Sequence, residues 1–149
     1  MKTILLLTAT LAAVTATYLA SSSAAANTWT TEHYATTETW HAFADIGKKD
    51  NGGPDDIYAA QQTLKTPEGE DVGTVNGYGV NLHPPYVFFH WTATLPSGTL
   101  TLESAVNLRT NPVVYSIEGG TGHYAGASGT VTLTDDGSKG TLATIRYRL

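Results

Sequence analysis

The sequence predicts an all-β domain, an eight-stranded antiparallel barrel. Three observations carry this expectation. Strand-like runs alternate with turn signals from His33 onward, and no stretch holds a helical period. Several runs alternate apolar with polar residues, so that one face is apolar: Val87/Phe89/Trp91/Ala93/Leu95, Leu100/Leu102/Ser104/Val106/Leu108 and Ala143/Ile145/Tyr147/Leu149. Only 14% of residues are charged while Thr, Gly and aromatics are plentiful, a balance that suits strands better than helical bundles or disordered chains. An antiparallel sheet with one wet face either closes on itself or packs as a sandwich. Eight strands is the size at which a closed interior can just hold one small ligand.

The first strand runs from about His33 to Ile46, and the turn-rich loop Lys48–Asp56 (KKDNGGPDD) ends it. Ile57 to Leu64 follows, then the turn Thr66-Pro67-Glu68-Gly69. Val72 to Leu82 is the third strand, with Gly73, Gly77 and Gly79 on one parity, and His83-Pro84-Pro85 breaks it. Tyr86 to Leu95 is strongly apolar and turns at Pro96-Ser97-Gly98 into Thr99 to Leu108. After Asn111-Pro112 come Val113 to Glu118, a glycine-rich corner at Gly119 to Gly129, and Thr130 to Thr134. Asp135-Asp136-Gly137 turns the chain into the last strand, Thr141 to Leu149.

The chain begins differently. Lys2 precedes Ile4-Leu5-Leu6-Leu7 and an Ala/Thr/Val/Leu stretch that closes in Ser21-Ser22-Ser23-Ala24-Ala25-Ala26. A short basic start, an apolar middle and a small-x-small end read as a secretory signal peptide over residues 1–26, cut before Asn27. Residues 27–149 then form one secreted domain, too short for a second core. An uncleaved membrane anchor is the rival reading of the same segment. The chain has no cysteine, which excludes a disulfide framework, a thiolate nucleophile and a cysteine zinc site. Its net charge of −5 argues against sequence-independent binding to nucleic acid or anionic lipid. Beyond the signal no apolar run is long enough to span a membrane.

The segment Ile117-Glu118-Gly119-Gly120-Thr121-Gly122-His123-Tyr124-Ala125-Gly126-Ala127-Ser128-Gly129 resembles the glycine-rich corner of the dirigent and allene oxide cyclase barrels. Phe43-Ala44-Asp45-Ile46 resembles the first-strand pattern of dirigent proteins. Val72-Gly73-Thr74-Val75-Asn76-Gly77-Tyr78 resembles their third strand, and Gly98-Thr99-Leu100-Thr101-Leu102-Glu103 their hairpin and fifth strand. The resemblance implies an eight-stranded, often trimeric barrel with a hydrophobic cavity and no metal or organic cofactor. It also implies control of stereochemistry in cyclisations or radical couplings. Two departures weaken the radical-coupling reading: Ser128 stands where dirigent proteins carry an arginine, and Gln61-Gln62-Thr63 replaces their second-strand Asp-Asp-Pro.

Asp45 shares its parity with His41 and Phe43, which by this analogy points all three into the barrel. A carboxylate among aromatics would be a candidate acid or base. The alternative is that Asp45 caps the loop opening at Gly47. Tyr58, Tyr78, Tyr115, Gln62 and Asn76 are expected to face inward too. A phenol there can polarise a substrate carbonyl, or simply pack with its hydroxyl satisfied. Phe89 and Trp91 would form walls that hold a flexible substrate folded. Glu103 and Glu118 fall on the outer face.

Other chemistries find less support. Gly120-x-Gly122-x-x-Ala125 imitates a phosphate loop, but a strand follows it rather than the helix such a loop needs. The five histidines form no His-x-His or His-Glu-x-x-His pattern, which leaves three strand-spaced ligands as the remaining route to a metal site, and no Gly-x-Ser-x-Gly elbow is present. The leading expectation is a secreted, cofactor-free cyclase. Asp45, Tyr78 and Tyr115 would act on an apolar polyene or polyketide-type molecule held by His41, Phe43, Tyr58, Gln62, Asn76, Phe89 and Trp91. A homo-oligomer, trimer or dimer, is expected from the resemblance. The rivals are a non-catalytic carrier of a hydrophobic small molecule, a dirigent-type coupling protein, and a solidly packed interaction module. The small residues Ala60, Gly77 and Gly79 disfavour the last if they leave open space.

Overall fold

A computed structural model describes residues 28–46, 53–135, 137 and 140–149. Residues 1–26, expected to be a signal peptide, and residues 47–52 of the first loop lie outside them. Eight strands follow in order: β1 (Thr30–Ala44), β2 (Ile57–Lys65), β3 (Asp71–His83), β4 (Tyr86–Leu95), β5 (Gly98–Asn107), β6 (Val113–Gly120), β7 (Ser128–Asp135) and β8 (Thr141–Arg148). A 3-10 turn at Gly122–Tyr124 sits in the glycine-rich corner. Each strand pairs antiparallel with the next, and β8 returns to β1, so the sheet is a closed barrel without edges.

β1 makes the closure because it is long enough to serve two neighbours. Thr30–Thr36 pairs with β8, and Ala35–Ala44 pairs with β2. The barrel therefore has a corner end, where β1 starts beside the glycine-rich corner, and a mouth. At the mouth β1 ends beside the β3–β4 turn, the β5–β6 connection and the β7–β8 turn. One register shift falls within β1, between Glu38 and Trp40. Thr39 is the extra residue, and its hydroxyl donates to the Gln61 carbonyl at 3.2 Å. A bulge of this kind reverses strand parity. Before it the even residues Tyr34, Thr36 and Glu38 face in; after it the odd residues His41 and Phe43 do, opposite Ala60 and Tyr58.

The inner faces make one core. Val87, Phe89, Trp91, Ala93 and Leu95 of β4, Leu100, Leu102 and Val106 of β5, and Ala143, Ile145 and Tyr147 of β8 are all buried, as the alternation predicts. Leu108 and Leu149 continue the expected pattern in sequence but fall past the ends of β5 and β8, where they are exposed. Without cysteines this core carries the domain, each buried Leu or Val contributing about 1.5–3 kcal/mol.

The space expected beside small residues is occupied. Gly77 and Gly79 point inward opposite Trp91 and Phe89. A Cβ at Gly77 would lie 2.5 Å from Trp91 Cε3, and one at Gly79 would lie 2.4 Å from Phe89 Cε1. The two rings fill a notch that only glycine can provide. Gly77→Ala should therefore lower unfolding stability by about 1–3 kcal/mol through overpacking, read as a shifted urea midpoint at unchanged slope.

Candidate functional site

Within the barrel the rings of Phe89 and Trp91 stack with centroids 5.4 Å apart and planes 19° from parallel. Tyr115 of β6 meets Phe89 edge-on at 6.0 Å. Beside them lies a cavity of about 50 Å³, lined by Leu64, Val75, Trp91 and Tyr115, with Thr36 and Gln62 as its other polar contributors. That is room for one or two water-sized groups, far below the several hundred Å³ of an ordinary ligand pocket. Burial pushes the Tyr115 phenol up, with the hydrogen-bonding Trp91 side chain acting in the opposite direction. At neutral pH Tyr115 is a protonated donor in an apolar wall.

Above the cavity, toward the mouth, the β1 bulge assembles a polar cluster. Glu38 faces Gln62 across the β1–β2 pair. In a regular strand Glu38 and His41 would point to opposite faces; the extra residue brings both inward. His41 Nδ1 lies 2.9 Å from Glu38 Oε1, and the Tyr58 hydroxyl donates to Glu38 Oε2. The His41 and Tyr58 rings lie 6.2 Å apart and 22° from parallel, tiling the wall side by side. Burial and the Glu38 carboxylate push the Tyr58 phenol up to about 12. Carboxylate, imidazole and phenol in mutual contact can accept, hold and return a proton.

Across the mouth a vestibule of about 300 Å³ opens between the β5–β6 connection and the end of β7. Tyr115 and Leu133 line both this vestibule and the inner cavity, so the two spaces meet at those side chains.

The corner end is shut. Glu32 faces inward there and accepts hydrogen bonds from three phenols: Tyr34 at 2.9 Å, Tyr147 at 3.0 Å and Tyr124 at 3.2 Å. The Tyr147 oxygen lies 3.2 Å from His123 Nε2, which ties the glycine-rich corner into the same network. Tyr124 and Tyr147 are almost wholly buried and meet edge-on at 5.3 Å. Burial, reinforced by the Glu32 carboxylate, pushes the Tyr34 phenol well above its ordinary range and that of Tyr147 to about 12. Burial pushes Tyr124 in the same direction.

The family described as "Allene oxide cyclase barrel like domain" matches residues 34–145. The chain belongs to the allene oxide cyclase-like barrel family. Among solved structures, a pyocyanin demethylase superposes with a TM-score of 0.71 at 23% identity, covering 79% of this chain and 99% of that one. A pterocarpan synthase dirigent protein gives 0.61 at 18% identity, over 82% and 93% of the two chains. An exo-specific intermolecular Diels-Alderase gives 0.62 at 11% identity, over 81% and 98%. At these identities the likeness is one of fold. No curated protein sequence matches the chain.

Against the allene oxide cyclase-like barrel, the sequence-predicted residues divide. Phe89, Trp91, Tyr115 and Gln62 line the interior, and Tyr58 and His41 join at the mouth. Phe43 shares their face beyond the cover of the other strands and is half exposed. Two expectations are corrected. Tyr78 and Asn76 face outward, because their strand turns its glycine parity toward the rings of β4. Tyr78 stacks on His90 at 5.5 Å, His90 pairs with Glu103 at 2.7 Å, and Asn76 accepts from Gln61 at 2.8 Å, all on the outer wall. Asp45 lies just past the end of β1 and is exposed, so the dry aromatic surroundings expected for its carboxylate are not there. Glu38 and Glu32 were not foreseen, nor were the three phenols that converge on Glu32. Among the described residues no three of His, Asp and Glu converge as metal ligands would.

The raised phenols set an alkaline dependence. Their protonated forms are favoured by the fold, so their contribution is complete below the unfolded value of 10.0 and is lost as pH rises through about 12. Urea midpoints should fall steadily between pH 10 and 12, and Glu32→Gln should flatten that decline because it removes the carboxylate acting on Tyr34 and Tyr147.

Proposed function

We propose that this allene oxide cyclase-like barrel catalyses a cofactor-free, stereocontrolled ring closure of an apolar polyene or polyketide-type molecule. The observation that carries the reading is the placement of Glu38, His41 and Tyr58 on the inner wall of the mouth, above an apolar cavity that Tyr115 lines. Shape does most of the work in this reading. Val113, Tyr115 and Leu133 oppose extended conformers of a chain in the vestibule, which lowers the entropy cost of bringing its ends together. Tyr115 donates a hydrogen bond to a carbonyl as charge develops on its oxygen. The Glu38–His41–Tyr58 cluster takes a proton from one carbon or heteroatom and returns it to another, so that substrate and product have the same mass. In this reading the reacting chain lies at the mouth rather than deep in the barrel, which the small cavity and open vestibule support. Export, supported by Lys2 and the Ala24-x-Ala26 ending, is part of the same proposal.

The protein would be incubated with a small-molecule extract of its native host and analysed by native mass spectrometry and chromatography. A captured compound should reappear at unchanged mass and altered retention. Glu38→Gln and Tyr115→Phe should each slow that conversion about a hundredfold while capture persists. Release of every captured compound unaltered would instead make the protein a carrier, and wild-type rates in both variants would remove these residues from the mechanism.

A further inference from the structure

We propose that the vestibule is a carboxylate-recognition site, in which Arg109 anchors the acid group of a compact apolar carboxylic acid whose ring or unsaturated part lies against Tyr115 and Leu133. This names a substrate class and rests on the reading of the mouth as the reacting site.

Four observations converge on it. Arg109 is exposed and makes no ion pair among the described residues, although the chain as a whole is acidic. Its fellow described cations are engaged: Lys65 with Asp71, and Arg146 and Arg148 over the ring of Trp29 at 4.2 and 5.4 Å. Secondly, Arg109 stands where two concavities of about 300 Å³ adjoin, one against the β3–β4 turn and one that is the vestibule itself. Thirdly, Tyr115 and Leu133 line both the vestibule and the apolar interior, so the two spaces adjoin at those side chains. A bound molecule can therefore keep an apolar part near the reacting groups and a charged part in water.

The fourth observation is rigidity. Asn107 Oδ1 accepts from the Arg109 amide at 2.9 Å, and the Asn107 carbonyl accepts from the Thr110 amide and hydroxyl at 3.1 and 2.8 Å. The Asn111 side chain clamps the Asp135 backbone from both directions at 3.2 Å. The turn presenting Arg109 is thus ordered before any ligand arrives, which spares binding that cost. A guanidinium meets a carboxylate with two parallel hydrogen bonds, a geometry that an amide or alcohol of the same shape cannot reproduce. Among the described residues Asp135 is the acidic side chain lining this vestibule. Its carboxylate accepts from the Gly137 amide at 2.9 Å, which engages it with the β7–β8 turn rather than with Arg109.

The probes are 2-naphthoate and its neutral isostere 2-naphthamide, measured by titration calorimetry on the full protein at low and at 0.5 M salt. The naphthoate should bind about tenfold more tightly at low salt, and the preference should shrink at high salt. Arg109→Gln should abolish the preference and leave the amide's affinity unchanged, whereas Arg146→Gln should alter neither. Equal affinities in the wild type, a preference that survives Arg109→Gln, or no binding of either probe would each overturn the proposal. The ring-closure reading is judged separately: an Arg109-dependent preference without conversion of any extract compound sinks the chemistry and leaves the anchor, and the reverse result does the opposite.

Discussion

One residue inserted into one strand governs the layout of this barrel. β1 must close the sheet against β8 with its first half and line the mouth with its second, and a strand of unbroken parity would turn His41 outward to water. The extra residue at Thr39 lets Tyr34, Thr36, Glu38, His41 and Phe43 all face the interior. It thereby joins the apolar cavity to a carboxylate–imidazole–phenol cluster above it. The proposed site thus depends on one local irregularity in the strand that also closes the barrel, in keeping with the tendency of bulges to sit beside functional sites.

Packing then decides where a ligand can go. The backbone at Gly77 and Gly79 accepts the rings of Trp91 and Phe89, and those rings occupy most of what would otherwise be a deep pocket. What remains inside is a small apolar recess with one phenol, while the larger spaces lie at the mouth. Selectivity in such an arrangement belongs to the rim and its loops, which tolerate sequence change better than the filled interior does. The solved relatives share the fold at low identity while carrying different names, in agreement with function residing in grafted sites rather than in the barrel itself.

Most of the architecture was legible because period-two alternation and turn residues are local signals. All eight strands lie where those signals put them, and Phe89, Trp91, Tyr115 and Gln62 line the interior as parity required. The failures have physical causes. In β3 either parity could have been the inner one, and side-chain chemistry favoured Tyr78 and Asn76; the winning constraint was the volume of two rings on β4, which demands glycine opposite. Glu38 escaped notice because a bulge at Thr39 leaves no mark in composition, and without it Glu38 and His41 belong to opposite faces. Glu32 lies ahead of the expected start of β1, and its three phenol partners come from β1, the corner and β8, a convergence that exists only after closure.

The sealed corner end has a kinetic corollary. With Tyr124 and Tyr147 packed around Glu32, the described residues close this end, and the larger open spaces lie at the mouth. If the barrel closes a ring as proposed, product and incoming substrate share that mouth, so departure precedes the next arrival and accumulating product competes directly with fresh substrate.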